Sequence, residues 1–307
     1  MRSETIADAV PHPGEAAAPT RGTSAGAPAR AKGRATPGLV FAYVCVVVAA
    51  LLFAVPLVYA LLSALKPNDQ IFAVPPTLTG DEVRWGNFAD VFRFGPFWTY
   101  IGNSFFVAIA GTLVVNIVST TAGYAFGRLR WRGRDVVFVL FLVTLMVPQE
   151  VLVVPVFQLM QWFGWVNTPQ ALILPFAFTA FGTFLMRQFF RGIPYELEEA
   201  ARVDGAGPLR TFGMIILPLA RSAVAVLTVF TFISFWNSYL WPLIVVNDYG
   251  YLGTLPIGLA TFSGQFGTRW DLQMAASVIS MVPTAILVIV LQKHLVKGIA
   301  TAGIAGR

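Results

Sequence analysis

The chain has one cysteine, Cys45, and two histidines, His12 and His294, among its 307 residues. A lone thiol cannot close an intrachain disulfide, and one Cys with two His cannot assemble a Cys/His metal site. Charge is scarce as well. Only 12% of residues are Asp, Glu, Lys or Arg, 56% are hydrophobic, and the mean hydropathy is +0.70, which excludes a soluble domain whose surface must meet water. The pattern G-x-x-x-x-G-K-[ST] is missing, so no loop of that kind cradles nucleotide phosphates. A formal net charge of +6 would suit a nucleic-acid binder if the bases were clustered. They are instead spread between apolar runs, which argues against a nucleic-acid partner.

What the sequence does contain is long hydrophobic runs. Residues Met1 to Pro37 are rich in Ala, Gly, Pro, Ser and Thr, a composition that buries too little apolar area to offset the entropy of ordering, and they are expected to form a disordered tail. The run that follows, Leu39 to Leu65, is 27 residues long, beyond the roughly 7 to 15 residues of a signal-peptide core, and is expected to stay in the membrane. Further runs lie at about 100–126, 136–157, 169–186, 222–246 and 274–291. Each is long enough to cross about 30 Å of hydrocarbon as a helix, with its backbone amides paired internally. The expectation is an all-α, polytopic membrane protein with six transmembrane helices, its membrane domain covering 38–307.

Basic residues set the orientation. With both termini inside, only Lys66, Arg84, Arg93 and Arg269 fall outside, leaving 17 of the 21 Lys and Arg on the cytoplasmic face. Arg128, Arg130, Arg132 and Arg134 then sit in one cytoplasmic loop and Arg187, Arg191, Arg202, Arg210 and Arg221 in and around another. Two external loops, Lys66 to Phe97 and Asn247 to Asp271, are too long for simple connectors and suggest contact with an external partner.

One cytoplasmic stretch, EEAARVDGAGPLRTFGMIILPL from Glu198 to Leu219, interrupts the apolar pattern. Pro194 suits a first helical turn, Glu196 and Glu198 favour the positive N-terminal end, and Glu198 to Arg202 has the i,i+4 spacing of an ion pair. Gly205 can stop that helix in the left-handed conformation, and Gly207 with Pro208 prevents smooth continuation before a second helix restarts near Leu209. By itself such a helix-turn-helix is either a docking knob, with Ala200 and Ala201 permitting close approach, or a solvated loop.

Glu199, Ala200, Ala201, Gly205, Ile215, Leu217 and Pro218 resemble the EAA motif of ABC importer permeases, which reads EAA, three residues, G, nine residues, I-x-L-P; Asp204, Ala206 and Phe212 match its extended form. FWNSYLWPLIV at 235–245 and TLPIGLATFSGQFGTRWDLQMAAS at 254–277 resemble the fifth span and last external loop of permeases in maltose-type carbohydrate importers. The resemblance covers about 40–307. It implies that the segment is a coupling helix seated in a cytoplasmic ATPase, where Glu199 and Asp204 supply polar contacts, Ala200 and Ala201 the close fit, and Gly205 the turn. It further implies a second homologous permease, two ATP-binding subunits, an external or periplasmic sugar-binding protein, a sugar substrate, a bacterial cytoplasmic-membrane location, and neither catalysis nor a cofactor on this chain. The end, Gly298 to Arg307, resembles a short tail that touches the ATPase.

Polar residues within the runs are the remaining candidates. Glu150, flanked by Pro148 and Pro155, which loosen helical hydrogen bonding, either lines a cavity, or reaches interfacial water or caps a broken helix. Asn237, Ser238 and Tyr239, beside Trp236 and Trp241, could bind a sugar through amide, hydroxyl and aromatic faces, or could bond between helices. Asn103, Ser104 and Asn116 read as packing groups. An ion-driven transporter would show more buried carboxylates than Glu150 or an inverted repeat, and a membrane scaffold would need no ATPase.

Overall fold

The computed structural model describes residues 37–75, 77–264 and 267–304, with side chains as far as residue 293. The tail expected over Met1 to Pro37 lies outside the described residues except for Pro37, as do the side chains of Gly298 to Arg307. Two compact units divide at Leu52 and Phe53. The described part of the first is the N-terminal half of α1 (Pro37–Ala64), whose apolar side chains are exposed, as suits a lipid-facing helix.

In the second unit, α2 (Gly86–Phe94) and α3 (Phe97–Gly127) are followed by α4 (Arg134–Val143), α5 (Val153–Trp162), α6 (Pro169–Ile173) and α7 (Ala180–Arg191). Then come α8 (Glu196–Val203), α9 (Pro208–Thr211), a π-helical turn at Phe212–Ile216, α10 (Leu217–Leu219) and α11 (Arg221–Trp236). The chain finishes with α12 (Leu240–Val245), α13 (Tyr249–Leu252), α14 (Leu255–Ala260), a two-residue hairpin pairing Ser263 with Thr268, and α15 (Trp270–Ile304). Helices dominate, as the apolar runs require.

Among the described residues, three helices are long and apolar enough to span a membrane unbroken: α1, α3 and α15. The remaining candidate spans are broken, which corrects the expectation of continuous helices. Between 134 and 162 the helical axis turns by 92°, because Pro148 has no N–H to donate and pushes Val147 into an extended conformation. Between 169 and 191 it turns by 48° at Ala177–Thr179, where Thr179 recaps the chain by accepting from the Gly182 amide at 3.3 Å. In the run 222–246, α11 stops at Trp236 and α12 restarts at Leu240, leaving Asn237–Tyr239 outside helix.

Small residues fix the packing around α3. A Cβ on Gly123 would lie 2.6 Å from Met186 Cβ, and one on Gly182 would lie 2.5 Å from Ser119 Oγ; only glycine lets α3 and α7 approach so closely. On another face, a Cβ on Gly111 would fall 2.6 Å from the Phe235 ring of α11. Asn116 Nδ2 donates to Thr228 Oγ1 at 3.1 Å, joining the same two helices, so Asn116 serves packing as expected. Asn103 donates to the carbonyls of Tyr251 and Gly253, and Ser104 accepts from the Leu255 amide at 2.7 Å.

The two long connections are built structures rather than loose loops. Amphipathic α2 buries Val91 in a cluster with Phe97, Tyr100, Leu255, Phe262 and Leu272. Asn87, buried, donates to the carbonyls of Ala64 and Lys66, both at 2.9 Å, and Lys66 donates to the Thr77 carbonyl. Arg269 clasps the buried Asp271 carboxylate at 2.9 and 3.0 Å, and that bond holds the guanidinium pKa above its ordinary value.

Candidate functional site

At the arginine-rich end, α8 ends in a Schellman turn. The Ala206 amide donates to the Ala201 carbonyl at 2.8 Å and the Gly205 amide to Arg202 at 3.0 Å, with Gly205 at φ +78°. That conformation is the one predicted from the glycine, and it explains the small residues around it. Ala201 and Ala206 are the two ends of the longer bond. Ala201 is buried at 6% exposure, so of the two alanines expected to fit a partner closely, only Ala200 is exposed; Ala201 packs within its own chain. Glu199, Asp204 and Gly205 are exposed, as are Val203 at 88% and Leu209 at 85%, two large apolar side chains that no local sequence signal singles out.

The second half of the segment anchors it. Phe212 lies 4.8 Å from the Tyr124 ring, and Ile216 is fully buried beside Met186, Phe190 and Ala220. Ile215 and Leu217 are half-buried and Pro218 exposed. Lacking an N–H, Pro218 cannot close the α-helical bond to Met214, and the chain passes through the π turn before bending 76° into α11.

Glu198 does not pair with Arg202 as its spacing suggested. Its carboxylate accepts from Arg128 Nε at 2.5 Å, a residue 70 positions away whose guanidinium is fully buried. Arg128 also donates to the Ile193 carbonyl at 2.9 Å and the Pro194 carbonyl at 3.3 Å, and lies 3.9 Å from the centroid of the Tyr195 ring. A buried, always-charged guanidinium is tolerable only with such a set of acceptors.

Deeper in the second unit is a cavity of about 550 Å³. The three helix breaks all contribute to it: Gln149 and Glu150 from the first, Phe176 and Thr179 from the second, Ser238 and Tyr239 from the third. Irregular backbone at membrane depth is stable where it faces a cavity rather than lipid. Thr231 and Ser234 add hydroxyls; Phe181, Phe230 and Trp241 add aromatic faces. Among the described residues, Glu150 is the sole carboxylate of the lining, which includes no Lys or Arg.

Of the predicted pathway residues, Glu150, Ser238 and Tyr239 reach this cavity, and Trp236 and Asn237 do not. Trp236 is 1% exposed, with its indole N–H donated to the Ser280 carbonyl at 3.0 Å; it is a core residue. Asn237 sits at the C-terminal end of α11, exposed but outside the lining. Trp241 meets the cavity while its own N–H goes to the Ala171 carbonyl at 2.8 Å, so it offers a ring face and no donor.

With this geometry, residues 119–301 match the family model described as the binding-protein-dependent transport system inner membrane component. The chain is 37% identical to the sn-glycerol-3-phosphate transport system permease protein UgpE of Pectobacterium atrosepticum, covering 85% of this chain and 95% of that protein. It is 36% identical to the arabinooligosaccharides transport system permease protein AraQ of Halalkalibacterium halodurans, covering 82% and 91%. Among solved structures it is similar to a bacterial ABC transporter involved in importing the acidic polysaccharide alginate, with a TM-score of 0.73, 25% identity, and 84% and 96% of the two chains covered.

Proposed function

The chain belongs to the family of inner membrane components of binding-protein-dependent transport systems, and from that premise we propose that it is the permease subunit of an ATP-driven sugar importer. It receives a sugar or oligosaccharide from an external binding protein and passes it inward by alternating access, paired with a second, homologous permease. Two cytoplasmic subunits hydrolyse ATP, and no catalytic residue or cofactor resides on this chain. Residues 38–307 form the membrane domain, with six spans when each broken run is taken as one. The positive-inside asymmetry supports cytoplasmic termini and a bacterial inner-membrane location for the multi-pass chain.

The observation that carries this reading is the α8 knob: a short, rigidly capped helix with Glu199, Ala200, Val203, Asp204 and Leu209 exposed on a segment that matches the EAA pattern at every defined position. Val203 and Leu209, exposed on either side of the Gly205 turn, give this projection apolar surface that a protein partner would cover. Closure of the ATPase pair, transmitted through this knob, would turn the membrane helices and open the cavity to the outside.

The cavity supports a neutral substrate. Its hydroxyls and aromatic faces suit a glycoside, whereas the Glu150 carboxylate, with no Lys or Arg among the described lining residues, disfavours a phosphate or uronate. The test is affinity purification of this chain followed by reconstitution. The expected result is recovery of a second permease and an ATPase subunit, and vesicle uptake of a neutral sugar that requires ATP and a binding protein. Uptake by the chain alone on a proton or sodium gradient would overturn the reading.

A further inference from the structure

The buried contact between Arg128 and Glu198 joins two elements that differ in kind: α3, the long central helix with glycine-close contacts to α7, and α8, the exposed knob. Arg128 follows the last residue of α3, and its backbone N–H caps that helix on Tyr124 at 2.8 Å. Its guanidinium then leaves the helix end and takes three acceptors far along the chain: the Glu198 carboxylate and the carbonyls of Ile193 and Pro194. These acceptors cover the connection from α7 and the first turn of α8. A reciprocal contact runs the other way, for Arg187 of α7 donates to the Phe126 carbonyl at 3.2 Å and to Asp135 at 3.0 Å. Toward α11, by contrast, α8 is followed by the Gly205 turn, the π-helical turn and a 76° bend.

We infer that Arg128 is a positioning residue that locks α8 to α3, so that displacement of the knob is delivered through the Arg128–Glu198 link to the α3–α7 pair before it reaches the sequence-adjacent α11. This rests on the coupling reading of α8. The physical reason is stiffness. A forked guanidinium with three fixed acceptors resists both sliding and rotation, whereas the π-helical turn and the 76° bend at Pro218, beyond the closed end of α8, interrupt the helical path to α11 and can flex.

The test measures three quantities on the reconstituted complex: recovery of the ATPase subunit, ATPase stimulation by substrate-loaded binding protein, and substrate moved per ATP hydrolysed. Arg128→Lys keeps the charge but loses the fork, and Glu198→Gln keeps the shape but loses the charge. Both should retain ATPase recovery and basal hydrolysis while substrate moved per ATP falls; Arg128→Ala, if it assembles, should lose about tenfold, within the usual range of coupling between sites. Combining Arg128→Lys with Glu198→Gln should add little to the larger single loss, since both act through one contact. Normal transport per ATP in Arg128→Lys and Glu198→Gln, fully additive losses, or loss of ATPase recovery in place of coupling would each overturn the link. Glu199→Lys, on the exposed face of α8, separates the two ideas. Normal stimulation in that variant removes the coupling reading and the link with it. Loss there, alongside normal coupling in the Arg128 and Glu198 variants, overturns the link alone.

Discussion

The α8 segment and the 550 Å³ cavity solve opposite problems with the same backbone tools. At α8 the helix end is fully closed: each hydrogen bond of the Schellman turn is made, the buried guanidinium has its acceptors, and the exposed face is held rigidly. At the cavity three helices are left open by Pro148, by the stretch 177–179 and by 237–239, and hydroxyls, a carboxylate and ring faces point into space. A part that carries force needs stiffness, while a part that passes a solute needs polar groups not already committed to one another. The difference separates the residues that set coupling from those that set selectivity.

The largest expected effect is on the α8 side. Val203→Asp combined with Leu209→Asp places two charges on the exposed apolar face and should reduce ATPase recovery by about a hundredfold, as loss of two central interface contacts does; pull-down with the purified ATPase subunit measures it. Unchanged recovery would show that face to be merely solvated.

Next in size is the α3–α7 contact on which both regions depend. Gly123→Leu forces a side chain into a site where even a Cβ would lie 2.6 Å from Met186 Cβ and should destabilise the subunit by about 3 kcal/mol, read as a lower unfolding temperature in detergent. On the cavity side, Glu150→Lys should improve uptake of an acidic sugar relative to its neutral counterpart by about tenfold without altering ATPase recovery, measured by competition in vesicles. A change in assembly with no change in selectivity would contradict the assignment of Glu150 to the pathway. The smallest effect belongs to Trp236→Phe, which removes the bond to the Ser280 carbonyl and should cost about 1 kcal/mol of stability while leaving selectivity intact.

The sequence was most informative where a local feature has a local consequence. The uninterrupted apolar runs became α1, α3 and α15, and Gly205 adopted the positive φ that its place after a charged helix demanded. Pro148 marked one break, but the others were harder to see, because the runs around Thr179 and Asn237 are apolar on both sides and hydropathy averages across them. For the same reason Trp236, Asn237 and Tyr239 could not be sorted by facing: helical periodicity assigns directions only while the helix continues, and it stops at Trp236. Arg128 was hidden differently. In a basic loop it reads as a topology signal, and nothing local reveals that its partner is Glu198, 70 residues on. Only the glycine-close contact of α3 and α7 brings the end of one near the start of α8.

Coupling of a separate ATPase to the membrane helices through α8 is decided by substrate-stimulated ATPase activity in complexes carrying Gly205→Pro. Proline cannot adopt φ +78° and has no N–H for the Arg202 carbonyl, so the turn that sets the knob must rearrange. Basal hydrolysis by the ATPase subunits should persist while stimulation by the loaded binding protein, and uptake with it, is lost. Full stimulation and normal uptake in this variant would contradict coupling through α8.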